Sequence, residues 1–89
     1  MKQTFAFCYF MNFDPSRLKT AIPAHIAYWE KKAPEDFSDG PFRDRTGGLI
    51  LFPAEDRDMA EDICTNDPYV KEGLITEYWV KEWLISHRR

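Results

Sequence analysis

Two side chains in this sequence have the right type to move a proton. His25 and His87 are the only histidines, and histidine is the residue whose ordinary pKa falls closest to neutral pH. His87 belongs to the terminal "HRR" and reads as a solvated residue. His25 lies near the start of a helical pattern, just beyond Trp29 on the helical wheel, at the border of the apolar stripe. It has two readings: a partly buried histidine with one hydrogen-bond partner, or a general base facing a pocket. Asp67 opens the stretch "DPYVKEG" and also has two. Asp followed by Pro is the pattern of an N-cap and first helical position. Pro68–Glu72 would then form one helical turn closed by Gly73, with the carboxylate capping the N–H of Tyr69 or Val70. Alternatively, the carboxylate bonds to His25, holding its tautomer and raising its basicity. A carboxylate has two oxygens, so both roles can coexist. The two residues are far apart in the chain, and only the fold can bring them together.

Other constellations are missing. The sequence has no phosphate-binding loop, no G-x-G-x-x-G and no nucleophile elbow. A metal site would need more than one well-placed histidine, and the acids of "AEDRDMAEDI" read as a solvated helix surface. No cofactor is implied by these residues. The net charge of −3 argues against nucleic acid as a partner, which would call for a basic face. "GGLILFPA" also lacks the basic first position and alternating aromatics of an RNA-recognition strand.

The elements that must position His25 and Asp67 follow from patterning. "TFAFCYFMNF" (4–13) is aromatic-rich, is bounded by "DPS", and reads as a strand. Residues 14–21 read as a loop or short turn. Pro23 suits the first turn of a helix through "AHIAYWEKKA", with Ile22, Ile26, Trp29 and Ala33 as its buried stripe and Pro34 as its stop. "DFSDGPFRDRTGGLILFPAE" reads as a short strand, a turn at Arg45–Gly48 whose glycines supply positive φ, and a strand through Leu49–Phe52. Asp56 is the expected N-cap of a second helix with Met59, Ala60, Ile63 and Cys64 on its apolar face, and Asn66 is expected in the left-handed conformation near its end. "LITEYWVKEWLI" is the last strand.

The order β-α-β-β-α-β is the ferredoxin-like arrangement of an α+β fold, an antiparallel sheet with two helices on one face. Its 89 residues read as a single domain over 1–89. A domain this small hides only about 60% of the surface its unfolded chain exposes. In the first strand Phe5, Phe7 and Tyr9 oppose Ala6, Cys8 and Phe10. In the third, Leu49 and Leu51 oppose Ile50 and Phe52. In the last, Val80 and Leu84 oppose Trp79, Trp83 and Ile85. Both sheet faces are apolar, and two short helices cover only one. A homodimer through the other face is therefore expected. Cys8 and Cys64 sit in apolar patterns without metal or redox spacing and read as reduced core residues of a cytoplasmic protein. Asn12 and Asp14 interrupt the first apolar run, so it does not read as a signal peptide. No apolar stretch reaches membrane-spanning length.

"DGPFRDRTGGLILFPAEDRDMAEDICTNDPYVKEGLI", the helix "PAHIAYWE" with its histidine, and the closing "YWVKEWLI" together resemble the YCII-related (YciI-like) family over nearly the whole chain. The resemblance implies a dimeric α/β barrel in which two ferredoxin-like sheets pack face to face. It implies that His25 and Asp67 match a His–Asp active-site pair beside the sheet, and that Ser38, next to the Gly-Pro loop, and Tyr69 line the pocket. It also implies an enzyme family, one related member acting on a chlorinated hydroxyquinone as a dehydrochlorinase. One arginine that often precedes the histidine is not at its matching place; the nearest, Arg17, lies eight residues upstream.

Three functions remain open on the sequence. The first is a small cofactor-free enzyme of isomerase or lyase type. Its base would be His25, oriented by Asp67, acting on a small organic substrate of unknown identity. The second is a non-catalytic dimeric module that binds a small ligand or a protein. The third is haem binding through His25, as some dimeric α/β-barrel proteins bind haem.

Overall fold

The computed structural model describes residues 2–12, 14–33 and 35–87. The expected end of the first strand at Phe13, the helix stop at Pro34 and the basic residues Arg88 and Arg89 lie outside the described residues. The elements run β1 (Gln3–Met11), α1 (Pro15–Lys32), β2 (Ser38–Pro41), β3 (Gly47–Ala54), α2 (Arg57–Thr65), α3 (Pro68–Lys71) and β4 (Ile75–Glu82). The four strands form one sheet in the order β2-β3-β1-β4, and every pairing is antiparallel. This is the ferredoxin-like α+β arrangement, with a one-turn helix added between α2 and β4.

Strand alternation decides the core. Phe5, Phe7 and Tyr9 of β1 are buried, as are Ile50, Phe52 and Ala54 of β3 and Val80 of β4. Register makes these one surface, since Phe7 pairs with Ile50 on one side and Val80 on the other. Trp29 of α1 and Ala60 and Cys64 of α2 pack into the same cluster. The opposite face carries Ala6, Cys8 and Phe10, with Leu49 and Leu51, and Trp79 half exposed. The two cysteines are both free, but only Cys64 is in the core. Among the described residues no helix is long and apolar enough to cross a membrane.

Helix α1 corrects the sequence reading in two respects. It starts at Pro15 rather than Pro23, because Asp14 serves as N-cap, accepting from the Arg17 N–H at 3.3 Å. Residues 15–21 are therefore helix, not loop. Pro23 sits in the interior, where it deprives the Lys19 carbonyl of its helical donor. Lys19 and Pro23 are both exposed, so water can satisfy that carbonyl. The buried stripe is Leu18, Ala21, His25 and Trp29, while Ile22 and Ile26 face outward. His25 thus lies in the middle of the stripe, not at its border.

The β2–β3 connection is a second correction. The positive φ there belongs to Arg45, at 65°, not to the glycines. Gly47 and Gly48 are in β3, and they are glycines because β1 comes too close for anything larger. A Cβ on Gly47 would lie 1.8 Å from the Tyr9 carbonyl oxygen, and one on Gly48 would lie 2.5 Å from the Tyr9 hydroxyl. In α2, Asp56 caps the Met59 N–H at 2.8 Å as expected. Asn66 ends it with φ −93°, not in the left-handed region; its own backbone N–H and side-chain amide bond back to the Asp62 carbonyl instead.

Candidate functional site

The site is built where α1 meets α3. Helix α3 is a single turn whose N-cap is Asp67 and whose first residue is Pro68. Gly73, at φ 71°, lets the chain leave in the left-handed conformation that glycine tolerates. Asp67 accepts the Tyr69 N–H at 2.8 Å with Oδ1, so the capping role is real. Its backbone oxygen also accepts from Val70 and Lys71. Two ties hold α1 here, one to α3 and one to α2. The Arg17 guanidinium donates to the Glu72 carbonyl, and the Tyr28 hydroxyl donates to the Ile63 carbonyl at the end of α2. Arg17 is therefore a clamp between α1 and the end of α3.

The same carboxylate reaches α1. His25 Nδ1 lies 3.0 Å from Asp67 Oδ1 and 2.9 Å from Oδ2. Trp29, one helical turn beyond His25, donates its indole N–H to Oδ2 at 2.7 Å. Asp67 is fully buried and His25 is 4% exposed. A buried carboxylate is costly unless hydrogen-bonded, and here two side chains of one helix and a backbone N–H serve it. A carboxylate offers only acceptors, so Nδ1 is the donor of this bond, and in the neutral ring Nε2 is then the atom with the lone pair. Among the described residues every sealed polar side-chain atom has a hydrogen-bond partner. Among the described residues Nε2 of His25 has no hydrogen bond, and the residue as a whole keeps 4% of its surface exposed.

Aromatic rings fix the imidazole plane. Tyr69 stacks on it with centroids 3.9 Å apart and planes 5° from parallel. Tyr9 meets it edge-on at 6.2 Å. Both tyrosines also line a cavity of about 370 Å³ between α1 and the β2–β3 connection, with Met11, Phe42, Arg43 and Arg45 among its other walls. The imidazole stands one ring behind that cavity. Burial, then the nearby Asp67 and Asp39, pushes the Tyr69 phenol up to about 12. Burial, Tyr69, Asp67 and Asp39 push Tyr9 above the ordinary tyrosine range as well. Both phenols are thus hydrogen-bond donors at neutral pH. Burial likewise raises the Cys64 thiol, with Glu61 and Asp67 adding to the shift, so Cys64 is no nucleophile.

The structure brings His25, Asp67 and Tyr69 together. It does not bring Ser38 to them. Ser38 pairs with Leu51, and strand alternation puts both on the face away from the helices, where Ser38 lines other recesses with Leu51. Sequence reasoning missed Trp29 as an Asp67 donor and Tyr9 as a wall of the site. Trp29 did carry a signal: a buried indole N–H needs an acceptor, and Asp67 is the buried acid available. Among the described residues no three His, Cys, Asp or Glu side chains converge as a metal-binding group.

The family model of the YCII-related domain matches residues 5–84. Among solved structures, 5-chloro-2-hydroxyhydroquinone dehydrochlorinase (TftG) from Burkholderia phenoliruptrix AC1100, in complex with 2,5-dihydroxybenzoquinone, is 26% identical. The match covers 91% of this chain and 93% of that one, with a TM-score of 0.73. A candidate antibiotic biosynthesis monooxygenase from Bacteroides thetaiotaomicron VPI-5482 shares the fold at 13% identity, with a TM-score of 0.59 over 97% of this chain and 90% of that one. No curated protein sequence matches the chain.

Proposed function

The chain belongs to the YCII-related family, and from that premise we propose that it is a small cofactor-independent enzyme. His25, oriented by Asp67, is its general base on a small organic substrate, in an isomerisation or an elimination. The observation that carries the reading is the Asp67 carboxylate, which holds Nδ1 at 2.9–3.0 Å and leaves Nε2 as the basic atom. In an elimination Nε2 takes a proton from the substrate. The electron pair of the broken bond becomes a new π bond, and the leaving group departs with its own pair. Asp67 then faces an imidazolium, whose charge it offsets, until water removes the proton. The likeness to a dehydrochlorinase supports loss of HCl as the form of that step. A positioned base contributes about 10²–10⁴-fold, so His25→Ala and Asp67→Asn should lower turnover of a substrate found by screening by that order. Unchanged turnover in a folded variant would sink the reading.

The protein works as a homodimer in this proposal, through the sheet face that the helices leave open. Trp79 is 51% exposed and Leu49 38% exposed on that face, beside Ala6, Cys8, Phe10 and Leu51, apolar side chains that a second subunit would cover. Trp79→Asp should shift the mass measured by light scattering from dimer to monomer. A wild-type protein that stays monomeric at micromolar concentration would remove this part of the proposal.

A second reading has its own observation. The imidazole is 4% exposed and stacked flat on Tyr69, which also suits a non-catalytic ligand-binding module in which the pair is a buried brace. Carbethoxylation by diethyl pyrocarbonate separates the two, with exposed His87 as the internal control. Modification of His25 in the native protein favours the base, and protection favours the brace.

A further inference from the structure

We propose that Tyr9 is a second catalytic residue of this site. Its phenol hydroxyl donates a hydrogen bond to the substrate oxygen that gains negative charge as His25 takes a proton. This rests on the enzyme reading of the same site and gives it the partner that proton removal needs. A fixed donor aimed where charge develops lowers the barrier to reaching it.

Three observations carry the assignment. The first is an unanswered hydroxyl. Tyr9 is 5% exposed, and a buried phenol usually finds a hydrogen-bond partner. The Tyr28 hydroxyl and the Trp29 indole have theirs. Among the described residues the Tyr9 hydroxyl has none. The second is where that hydroxyl sits. Tyr9 pairs with Gly48 across β1 and β3. A Cβ on Gly48 would stand 2.5 Å from the hydroxyl and 2.8 Å from the Gly40 carbonyl oxygen. The phenol thus lies over the glycine toward β2, where Gly47 and Pro41 wall the cavity with it. The third is its neighbours. Tyr9 meets the imidazole edge-on at 6.2 Å and the Tyr69 ring at 5.9 Å, so it touches the base while it lines the cavity of about 370 Å³. Burial, with Tyr69, Asp67 and Asp39 adding to it, keeps the phenol protonated at neutral pH, the form that donates.

In the step itself His25 Nε2 takes the proton from the carbon beside a carbonyl. The C–H pair becomes the C=C bond of an enolate, and the carbonyl π pair moves onto the oxygen, which accepts from Tyr9. In an isomerisation the imidazolium returns the proton to another carbon. In an elimination the carbonyl re-forms as the leaving group departs with its bonding pair, and water later removes the proton from His25. Tyr9 keeps its own proton throughout.

The test uses the intact protein and acetophenone, isotope-labelled at the carbonyl carbon. Saturable binding is expected, with the carbonyl carbon resonance moved downfield by the phenol. Tyr9→Phe breaks no hydrogen bond made among the described residues, so it should fold as the wild type does. It should weaken probe binding about three- to tenfold. It should also move the bound resonance back upfield, a change that a merely structural Tyr9 would not cause. On a substrate found by screening, Tyr9→Phe should lower kcat about 10²-fold with a smaller change in KM. His25→Ala should keep probe binding while losing turnover. No saturable binding of acetophenone, a bound resonance that Tyr9→Phe leaves in place, or a Tyr9→Phe enzyme as fast as the wild type overturns the assignment. If Tyr9→Phe is slow but His25→Ala turns over normally, the donor stands and the base reading falls.

Discussion

Trp29 and Asp67 are joined across 38 positions of chain by a 2.7 Å hydrogen bond from indole N–H to carboxylate, and both side chains are fully buried. That bond makes Asp67 a structural acceptor as well as the partner of His25. Each oxygen has a dedicated donor, Tyr69 N–H for Oδ1 and the indole for Oδ2, and His25 Nδ1 approaches both.

Removing the carboxylate should therefore cost stability as well as any activity. Asp67→Ala strands the indole and backbone N–H groups and leaves the imidazole unpaired, a loss of roughly 3–5 kcal/mol by analogy with a broken buried pair. Asp67→Asn keeps one oxygen and turns an NH₂ toward a donor, so it should cost less, about 1–3 kcal/mol. Urea unfolding of the two variants measures the gap. Equal stability of Asp67→Ala and wild type would show that the acceptor role is not structural.

Trp29→Phe isolates the indole N–H. The substitution keeps an aromatic ring against Phe7 and Phe52, which Trp29 contacts at centroid distances of 6.2 and 5.1 Å. It removes one donor from the carboxylate and strands none. A loss of about 1.5–3 kcal/mol is expected for a hydrogen bond to a charged group. His25 should remain on Asp67, so activity should fall less than in Asp67→Asn. A Trp29→Phe enzyme as impaired as His25→Ala would mean that the indole positions the pair.

Part of this arrangement is legible in the sequence, and the limits have physical causes. Alternation in β1 separates Phe5, Phe7 and Tyr9 from Ala6, Cys8 and Phe10 correctly, because a strand has only two faces. The phase of α1 is read wrongly because hydropathy favours Ile22 and Ile26 over His25 and Ala21. His25 is tolerable inside only because a carboxylate from another helix meets it, and no local pattern reports that. The Asp-Pro turn is legible because its cap is local: Asp67 serves a backbone N–H two residues on. The link from Asp67 to Trp29 and His25 is tertiary. Ser38 is misplaced because a four-residue strand fixes its own facing only through its register with β3.

The glycines of β2 and β3 give a graded prediction. Gly47→Ala would drive a Cβ into the Tyr9 carbonyl and Phe10 Cα, all backbone, so the β1–β3 ladder must part and the protein should largely fail to fold. Gly48→Ala meets the Tyr9 hydroxyl and the Gly40 carbonyl oxygen at 2.5 and 2.8 Å. Overpacking of that kind costs about 1–3 kcal/mol, and it should also displace the Tyr9 phenol from the cavity. Gly40→Ala meets nothing within 4 Å and should change stability by less than about 0.5 kcal/mol. Thermal melts of the three variants test the order.

The buried phenols make stability fall at alkaline pH. Tyr69 and Tyr28 are pushed from 10.0 up to about 12 in the folded protein, burial being the larger cause and Asp67 the next. Tyr9 is pushed up by burial in the same way. The folded state thus holds these protons more tightly than the unfolded chain. Above about pH 10 the unfolded chain releases protons that the folded protein keeps, so the stability of the fold declines with rising pH. The contribution is fully present below pH 10 and is lost as pH passes through the folded values near 12. Urea midpoints measured from neutral pH upward should be unaffected by these groups until about pH 10 and then drop. Tyr69→Phe removes one of the titrating groups and should make that drop shallower. A midpoint that Tyr69→Phe leaves equally steep would show that the Tyr69 phenol is not held by burial.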